Sequence, residues 1–243
     1  MASFSIGLSL MSSNLQRGRQ RRELFSAEWR RILSIMTGRS LSDSDIMLEE
    51  KGRPYFTDGR DDFNISHSGA LTAVSLASGE KLRVGCDVEL VKPRTGTIRI
   101  AEEFFSTQEK DYVIASEKSQ TAFFEIWTLK ECYLKLRGLS VSDMKHTPSF
   151  VCKKNENFNF AFSAATSTAT DAVTDKPLTF YLYELKGATG EWYILAAAID
   201  GVIEGKGQLP PEMRWFSQST LRARSIAEIK AARSPAETVS PNS

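Results

Sequence analysis

The chain has 243 residues, 41% hydrophobic and 25% charged, which is enough apolar material for one large domain or two smaller ones sharing a core. Lys and Arg number 31 against 30 Asp and Glu, so a formal net charge of +1 excludes a global field for capturing nucleic acid and leaves any anion site to be built locally. Cys86, Cys132 and Cys152 form no CxxC pair or Cys/His cluster, which speaks against zinc and for a reducing compartment, and the longest apolar run, 192–199, is too short to span a bilayer.

Residues 1–22 hold Arg17, Arg19, Arg21 and Arg22, several serines and no Asp or Glu. That composition fits a mitochondrial or plastid transit peptide, and equally a basic start to a phosphate-binding domain or a solvated tail. From 24 to 36 the apolar positions Leu24, Phe25, Trp29, Ile32, Leu33 and Met36 recur at helical spacing and predict an amphipathic helix stopped by Gly38. Beyond an Asp- and Gly-rich loop at 57–62, two strand-like runs, 71–77 and 82–91, flank Ser78-Gly79 and predict a hairpin. Ser106 and Glu109 have capping-box spacing and open a helix to about residue 115; a longer one over 119–137 ends at Gly138. Phe158, Phe160 and Phe162 alternate with polar residues, as do Leu178, Phe180 and Leu182, and 192–199 reads as a buried strand. The stretch 163–176 reads as a surface loop, and residues after Gly201 as a polar tail with one helix at 219–232. Helix, strands, helices, strands in that order imply an α+β fold.

Chemistry concentrates in three segments. In KLRVGCDVELV (81–91), period two puts Leu82, Val84, Cys86, Val88 and Leu90 on one face and Arg83, Gly85, Asp87 and Glu89 on the other. Two adjacent carboxylates repel unless a cation sits between them, and oxygen ligands with room to spare suit Mg²⁺; an exposed acidic strand face is the plainer alternative. In FNISHSG (63–69), hydroxyl, imidazole and backbone N–H donors beside a glycine could receive phosphate oxygens, although a lone histidine is more often structural. In FFEIWTLKECYLKLRG (123–138), Trp127, Glu131 and Lys135 are spaced i, i+4, i+8 along nearly one helix face. They read either as a surface Glu–Lys pair beside a core tryptophan or as a third carboxylate followed by an ammonium for phosphate charge.

Taken together, FNISHSG, VGCDVE and WTLKECYLK resemble the signature set of Sfp-type 4′-phosphopantetheinyl transferases. KGRPYF (51–56) resembles that family's basic Gly-Lys/Arg-Pro segment, and IRIAEEFFSTQEKDY its linker and helix. The resemblance implies two similar α+β halves related by pseudo-twofold symmetry, with coenzyme A bound between them and the N-terminal half shortened. It divides the chain into a basic segment 1–22, a first half 23–91, a second half 92–200 and a tail 201–243. It implies that Asp87, Glu89 and Glu131 hold Mg²⁺, with Mn²⁺ able to substitute, and that Arg53, Ser66, His67 and Lys135 contact coenzyme A. Glu131 and Lys135 are then the catalytic pair, as general base and as partner of the leaving phosphate. The implied reaction moves phosphopantetheine from coenzyme A to a serine of an acyl or peptidyl carrier protein, releasing 3′,5′-ADP. A cytoplasmic monomer is expected, with neither nucleic acid nor membrane as partner. Two rival readings are a non-catalytic coenzyme A or carrier-binding paralogue and a metal-dependent phosphatase.

Overall fold

The computed structural model describes residues 2–11, 18–79, 81–151, 161–162, 178–186, 190–200, 211–217 and 220–224. The first elements are β1 (Ser3–Leu10), α1 (Arg19–Thr37), β2 (Ile46–Leu48), β3 (Pro54–Phe56), β4 (Asp61–Ser68), β5 (Leu71–Ser78) and β6 (Arg83–Val91). Then follow α2 (Thr97–Phe104), α3 (Thr107–Ala115), α4 (Ser119–Arg137), β7 (Phe150–Val151), β8 (Ala161–Phe162), β9 (Leu178–Lys186), β10 (Trp192–Asp200), β11 (Glu212–Ser217) and β12 (Thr220–Arg224). The predicted loop 163–176, the alternation at Phe158 and Phe160, and positions 225–232 of the predicted last helix lie outside the described residues.

Two sheets carry the fold, one ordered β12-β11-β1-β5-β4 and one ordered β6-β10-β9. Three apolar clusters show how they stack. Trp29, Ile32 and Leu33 of α1 pack on Phe63, Val74 and Leu76, covering one face of the larger sheet. The opposite face, with Phe4, Ile6, Leu8, Leu71 and Ala73, meets Val84, Val88, Leu195 and Ala197 of the smaller sheet. That sheet's outer face, through Ile194, Ala196 and Ala198, takes Phe123, Ile126 and Leu129 of α4. The order is therefore helix, sheet, sheet, helices. It explains why LTAVSLAS of β5 is buried at almost every position: both of its faces are covered.

The connectivity occurs twice. Each unit has an opening strand and a 19-residue helix closed by a left-handed glycine, Gly38 after α1 and Gly138 after α4. Each continues through a 3-10 turn with a Ser–Asp capping box, Ser42 with Asp45 and Ser140 with Asp143, then a short two-stranded ribbon. Each ends in a hairpin whose second strand lies antiparallel beside the opening strand, giving β1-β5-β4 and β6-β10-β9. Among the described residues the first unit has the helix α1 where the second has α2, α3 and α4.

Four readings differ from the sequence-based expectation. Residues 3–10 are not part of a basic leader or tail: β1 lies between β11 and β5, with Ile6 and Leu8 fully buried. Removing residues 1–22 as a transit peptide would take that strand out of the sheet, and Arg19, Arg21 and Arg22 belong to the first turn of α1. The segment after Gly201 is not simply a polar tail, because β11 pairs parallel with β1 and its Phe216 is buried against α1. Residues 220–224, expected in a helix, form β12 beside β11. Finally, 71–77 and 82–91 form no hairpin, since both edges of β5 are already taken by β1 and β4 while β6 pairs with β10. The hairpin lies one strand earlier, where β4 and β5 join through Gly69-Ala70 with Gly69 at φ 57°.

Candidate functional site

The site forms where the two sheets meet edge to edge. β4 and β6 belong to different sheets, yet every second side chain of β4 accepts a backbone N–H of β6. Asp62 takes Val84 N–H at 2.7 Å, Asn64 takes Cys86 at 3.3 Å, Ser66 takes Val88 at 3.1 Å and Ser68 takes Leu90 at 3.0 Å. The constant offset of 22 residues means that the strands run parallel, with side chains standing in for the missing carbonyls. Period two aims these four residues at β6 while Phe63 and Ile65 pack toward α1.

On β6 the predicted alternation holds. Val84 and Val88 face the other sheet, whereas Gly85 lies against α4. A Cβ on Gly85 would stand 2.5 Å from the Cys132 carbonyl oxygen, so only glycine lets the helix come this close. The close approach brings Glu131 and Lys135 over Asp87 and Glu89. Lys135 Nζ donates to Asp87 Oδ1 at 2.6 Å and to Ser66 Oγ at 2.8 Å, and Ser66 donates to the same Asp87 oxygen at 2.8 Å. Ser68 Oγ donates to Glu89 Oε2 at 2.9 Å.

Ser66, His67, Asp87, Glu89, Glu131 and Lys135 all line one cavity of about 310 Å³. Its charges perturb one another. Burial raises the Glu131 pKa to about 7, aided by the Asp87 and Glu89 charges and opposed by Lys135. Burial and the Asp87 charge likewise raise Glu89, against the Ser68 hydrogen bond and the Lys135 charge. Burial works against the Lys135 ammonium, but Asp87, Cys86 and Glu131 outweigh it and hold its pKa above the usual lysine range. His67 lies with one face stacked on Phe25 of α1 at 3.8 Å; desolvation, then Lys135 and Arg21, lower its pKa. It therefore favours the neutral imidazole.

Arg53 is not part of this cavity. Its buried guanidinium holds Asp62 at 2.5 and 3.0 Å, the Lys135 carbonyl at 3.0 Å and the Val84 carbonyl at 2.9 Å, tying the ribbon to β4, β6 and the end of α4. The cavity also takes Phe25 and Arg94. Phe25 was legible only as one apolar helix position and Arg94 only as part of a charged segment; Arg94 lies over the Trp127 ring at 5.9 Å. A larger groove of about 640 Å³ lies elsewhere, but its Asp61, Asp62 and Arg83 are already paired with Arg39, Arg53 and Glu49.

Among the described residues no three His, Cys, Asp or Glu side chains are gathered closely enough to form a finished metal shell. The donor set nevertheless fits a hard divalent cation. Three carboxylates line one cavity, and Asp87 Oδ2 is buried with no hydrogen-bond partner. A buried carboxylate oxygen left bare is costly unless something cationic meets it.

Comparison with known proteins agrees with this geometry. Residues 83–192, from β6 to the start of β10, match the family model described as the 4′-phosphopantetheinyl transferase superfamily. The chain is 41% identical over 110 residues to a putative 4′-phosphopantetheinyl transferase of Haemophilus influenzae, covering 43% of this chain and 46% of that protein. It is 36% identical over 108 residues to the 4′-phosphopantetheinyl transferase AcpT of Salmonella typhi, covering 43% and 55%. With the 4′-phosphopantetheinyl transferase Sfp of Bacillus subtilis it shares 32% over 116 residues, covering 46% and 50%. The alignments thus span about half the length of the curated relatives. Through this shared region the chain is similar to the 4′-phosphopantetheinyl transferase superfamily, including the Sfp and AcpT proteins.

Proposed function

We propose that this chain is a 4′-phosphopantetheinyl transferase that moves phosphopantetheine from coenzyme A to a serine of an acyl or peptidyl carrier protein. The observation that carries the reading is the convergence of Asp87, Glu89, Glu131, Lys135, Ser66 and His67 on one cavity at the seam of the two units. Asp87, Glu89 and Glu131 would hold Mg²⁺, or Mn²⁺ in its place. Bound there, the cation would supply Lewis-acid neutralisation of a pyrophosphate.

The chain's own groups account for the remaining steps. A phosphodiester anion repels nucleophiles, so charge compensation and positioning dominate. Glu131, whose carboxylate form the cation would favour, can take the proton of the carrier serine, directly or through a water. The serine oxygen then bonds to the β-phosphorus as the bond to 3′,5′-ADP breaks. Lys135, kept protonated beside Asp87, offsets the charge on the leaving phosphate. His67 at the rim offers an imidazole N–H to a phosphate oxygen. The carrier would approach along Lys92, Arg94 and Arg99, basic residues that suit an acidic helix. Both units flanking the cavity come from one chain, which supports action as a monomer, and the free thiols Cys86 and Cys132 suit the cytoplasm.

Product analysis tests the reaction class. Nucleotide chromatography after incubation with coenzyme A, Mg²⁺ and an apo carrier should show 3′,5′-ADP in step with carrier modification. Free phosphate appearing without a carrier would make the protein a phosphatase. One observation favours a second reading, a non-catalytic coenzyme A or carrier-binding protein: Lys135 already compensates Asp87 at 2.6 Å, leaving the carboxylates ungathered. Coenzyme A binding with no product from several carriers would establish that alternative.

A further inference from the structure

The two serines of the β4 ladder each hold β6 at two points. A serine hydroxyl has one hydrogen to give and two lone pairs with which to accept. On Ser66 both lone pairs are taken, by Val88 N–H at 3.1 Å and Lys135 Nζ at 2.8 Å, so its hydrogen goes to Asp87 Oδ1 at 2.8 Å. Ser68 repeats the pattern two residues on, accepting Leu90 N–H at 3.0 Å and donating to Glu89 Oε2 at 2.9 Å. In each case the backbone N–H held is that of the residue following the carboxylate. The rung at Asn64 grips the Cys86 N–H at 3.3 Å but holds no carboxylate of the site, so the same strand supplies an internal comparison.

We infer that Ser66 and Ser68 are positioning residues which clasp β6 at Asp87-Val88 and Glu89-Leu90 and fix the directions in which the two carboxylates present their remaining oxygens to a divalent cation. The inference rests on the metal reading of the site proposed above. It also changes the part expected of Ser66. With its hydrogen given to Asp87 and both lone pairs occupied, that hydroxyl has no donor left for a coenzyme A phosphate. Asp87 is thereby held through one oxygen, while Oδ2 stays bare and buried. Glu89 is held in the same manner, by Ser68 through Oε2.

The test uses chelator-treated full-length protein titrated with Mn²⁺, free metal being read by electron paramagnetic resonance, beside thermal melts of each variant. Outer hydrogen-bond partners of metal ligands are worth about 10- to 100-fold in affinity, so Ser68→Ala should bind Mn²⁺ weaker by about that factor. Ser68→Thr, which keeps the hydroxyl, should restore affinity. Asn64→Ala should lower the melting temperature and leave Mn²⁺ affinity in place. Should Asn64→Ala fail to fold, the contrast of Ser68→Ala with Ser68→Thr decides alone. Wild-type affinity in Ser68→Ala, or equal weakening in Ser68→Ala and Asn64→Ala, overturns the positioning role and leaves the metal reading standing. A wild-type protein that binds no Mn²⁺ overturns both.

Discussion

Gly85→Ala tests whether the close approach of α4 to β6 builds the site. The added Cβ would lie 2.5 Å from the Cys132 carbonyl oxygen, 2.9 Å from Leu136 Cβ and 3.0 Å from Leu136 N. Two of these are backbone atoms of a helix packed on Ile194, Ala196 and Ala198, so the strain cannot be relieved by turning one side chain. Helix and strand must separate by several tenths of an ångström, at an overpacking cost of about 3 kcal/mol. For a chain of this size that lowers the melting temperature by roughly 6–12 °C. Glu131 and Lys135 ride on the displaced helix, and a misplacement approaching 1 Å costs on the order of 100-fold in turnover. Gly7→Ala is the matched control in the first unit. Its Cβ would meet Ile32 Cγ2 at 2.5 Å, Met36 Sδ at 2.6 Å and Phe216 Cε2 at 3.0 Å, so its strain falls on the packing of α1 and not on the helix that carries Glu131 and Lys135. Thermal melts and carrier-modification rates of the two variants should therefore diverge, with Gly85→Ala losing far more activity. Equal stability and turnover in wild type and Gly85→Ala would refute the reasoning.

Other consequences follow from buried charge. The Lys130–Glu109 pair, 3.1 Å apart and almost fully buried, joins α4 to the α3 cap and to the Phe150 N–H. Lys130→Met should cost about 3–5 kcal/mol in urea unfolding by stranding Glu109, and the double variant with Glu109→Gln, which is neutral yet keeps an acceptor for these N–H groups, should recover part of it; additive losses would contradict this. In metal-free protein Glu131 should titrate near 7 by carboxyl-carbon NMR and move down in Asp87→Asn, which removes one like charge. Because its folded pKa lies above the unfolded 4.5, the group stabilises below about 4.5 and that contribution is lost as pH rises to about 7. Glu131→Gln should accordingly gain stability relative to metal-free wild type across that window, and a gain in the opposite direction would reject the assignment. The chain has 2 histidines, so the His67 ring resonance is readily assigned. Phe25→Ala should hydrate the ring and raise its pKa toward the usual value, whereas an unchanged titration would mean that the stacking does not shield it.

Local chemistry was legible in the sequence and long-range pairing was not. The Ser106–Glu109 capping box, the helix ends at Gly38 and Gly138, and the alternation around Asp87 and Glu89 are set by neighbours within a few residues, and the structure has them where expected. β1 carried a readable pattern, Phe4, Ile6, Leu8 and Leu10 alternating with serine and glycine, but the arginines that follow drew attention to composition instead. The parallel pairing of β1 with β11 joins residues near the two ends of the chain and has no local signature. Ser78-Gly79 looked like a hairpin turn because turn chemistry does not reveal which strands already have two neighbours. Arg53 was expected at coenzyme A from its motif; its buried pairing with Asp62 depends on the fold of the ribbon against β4, which the motif does not encode. The ladder from β4 to β6 was half visible, as the polar alternation Asp62, Asn64, Ser66, Ser68, without any sign that its partner would be the carboxylate strand.

Intact-mass analysis of an apo acyl carrier protein incubated with this protein, coenzyme A and Mg²⁺ tests the central claim most directly. A gain of one phosphopantetheine on the carrier, abolished by EDTA and by Asp87→Ala, is the predicted result. An unmodified carrier in every case, across several unrelated carriers and with coenzyme A still bound, would contradict it.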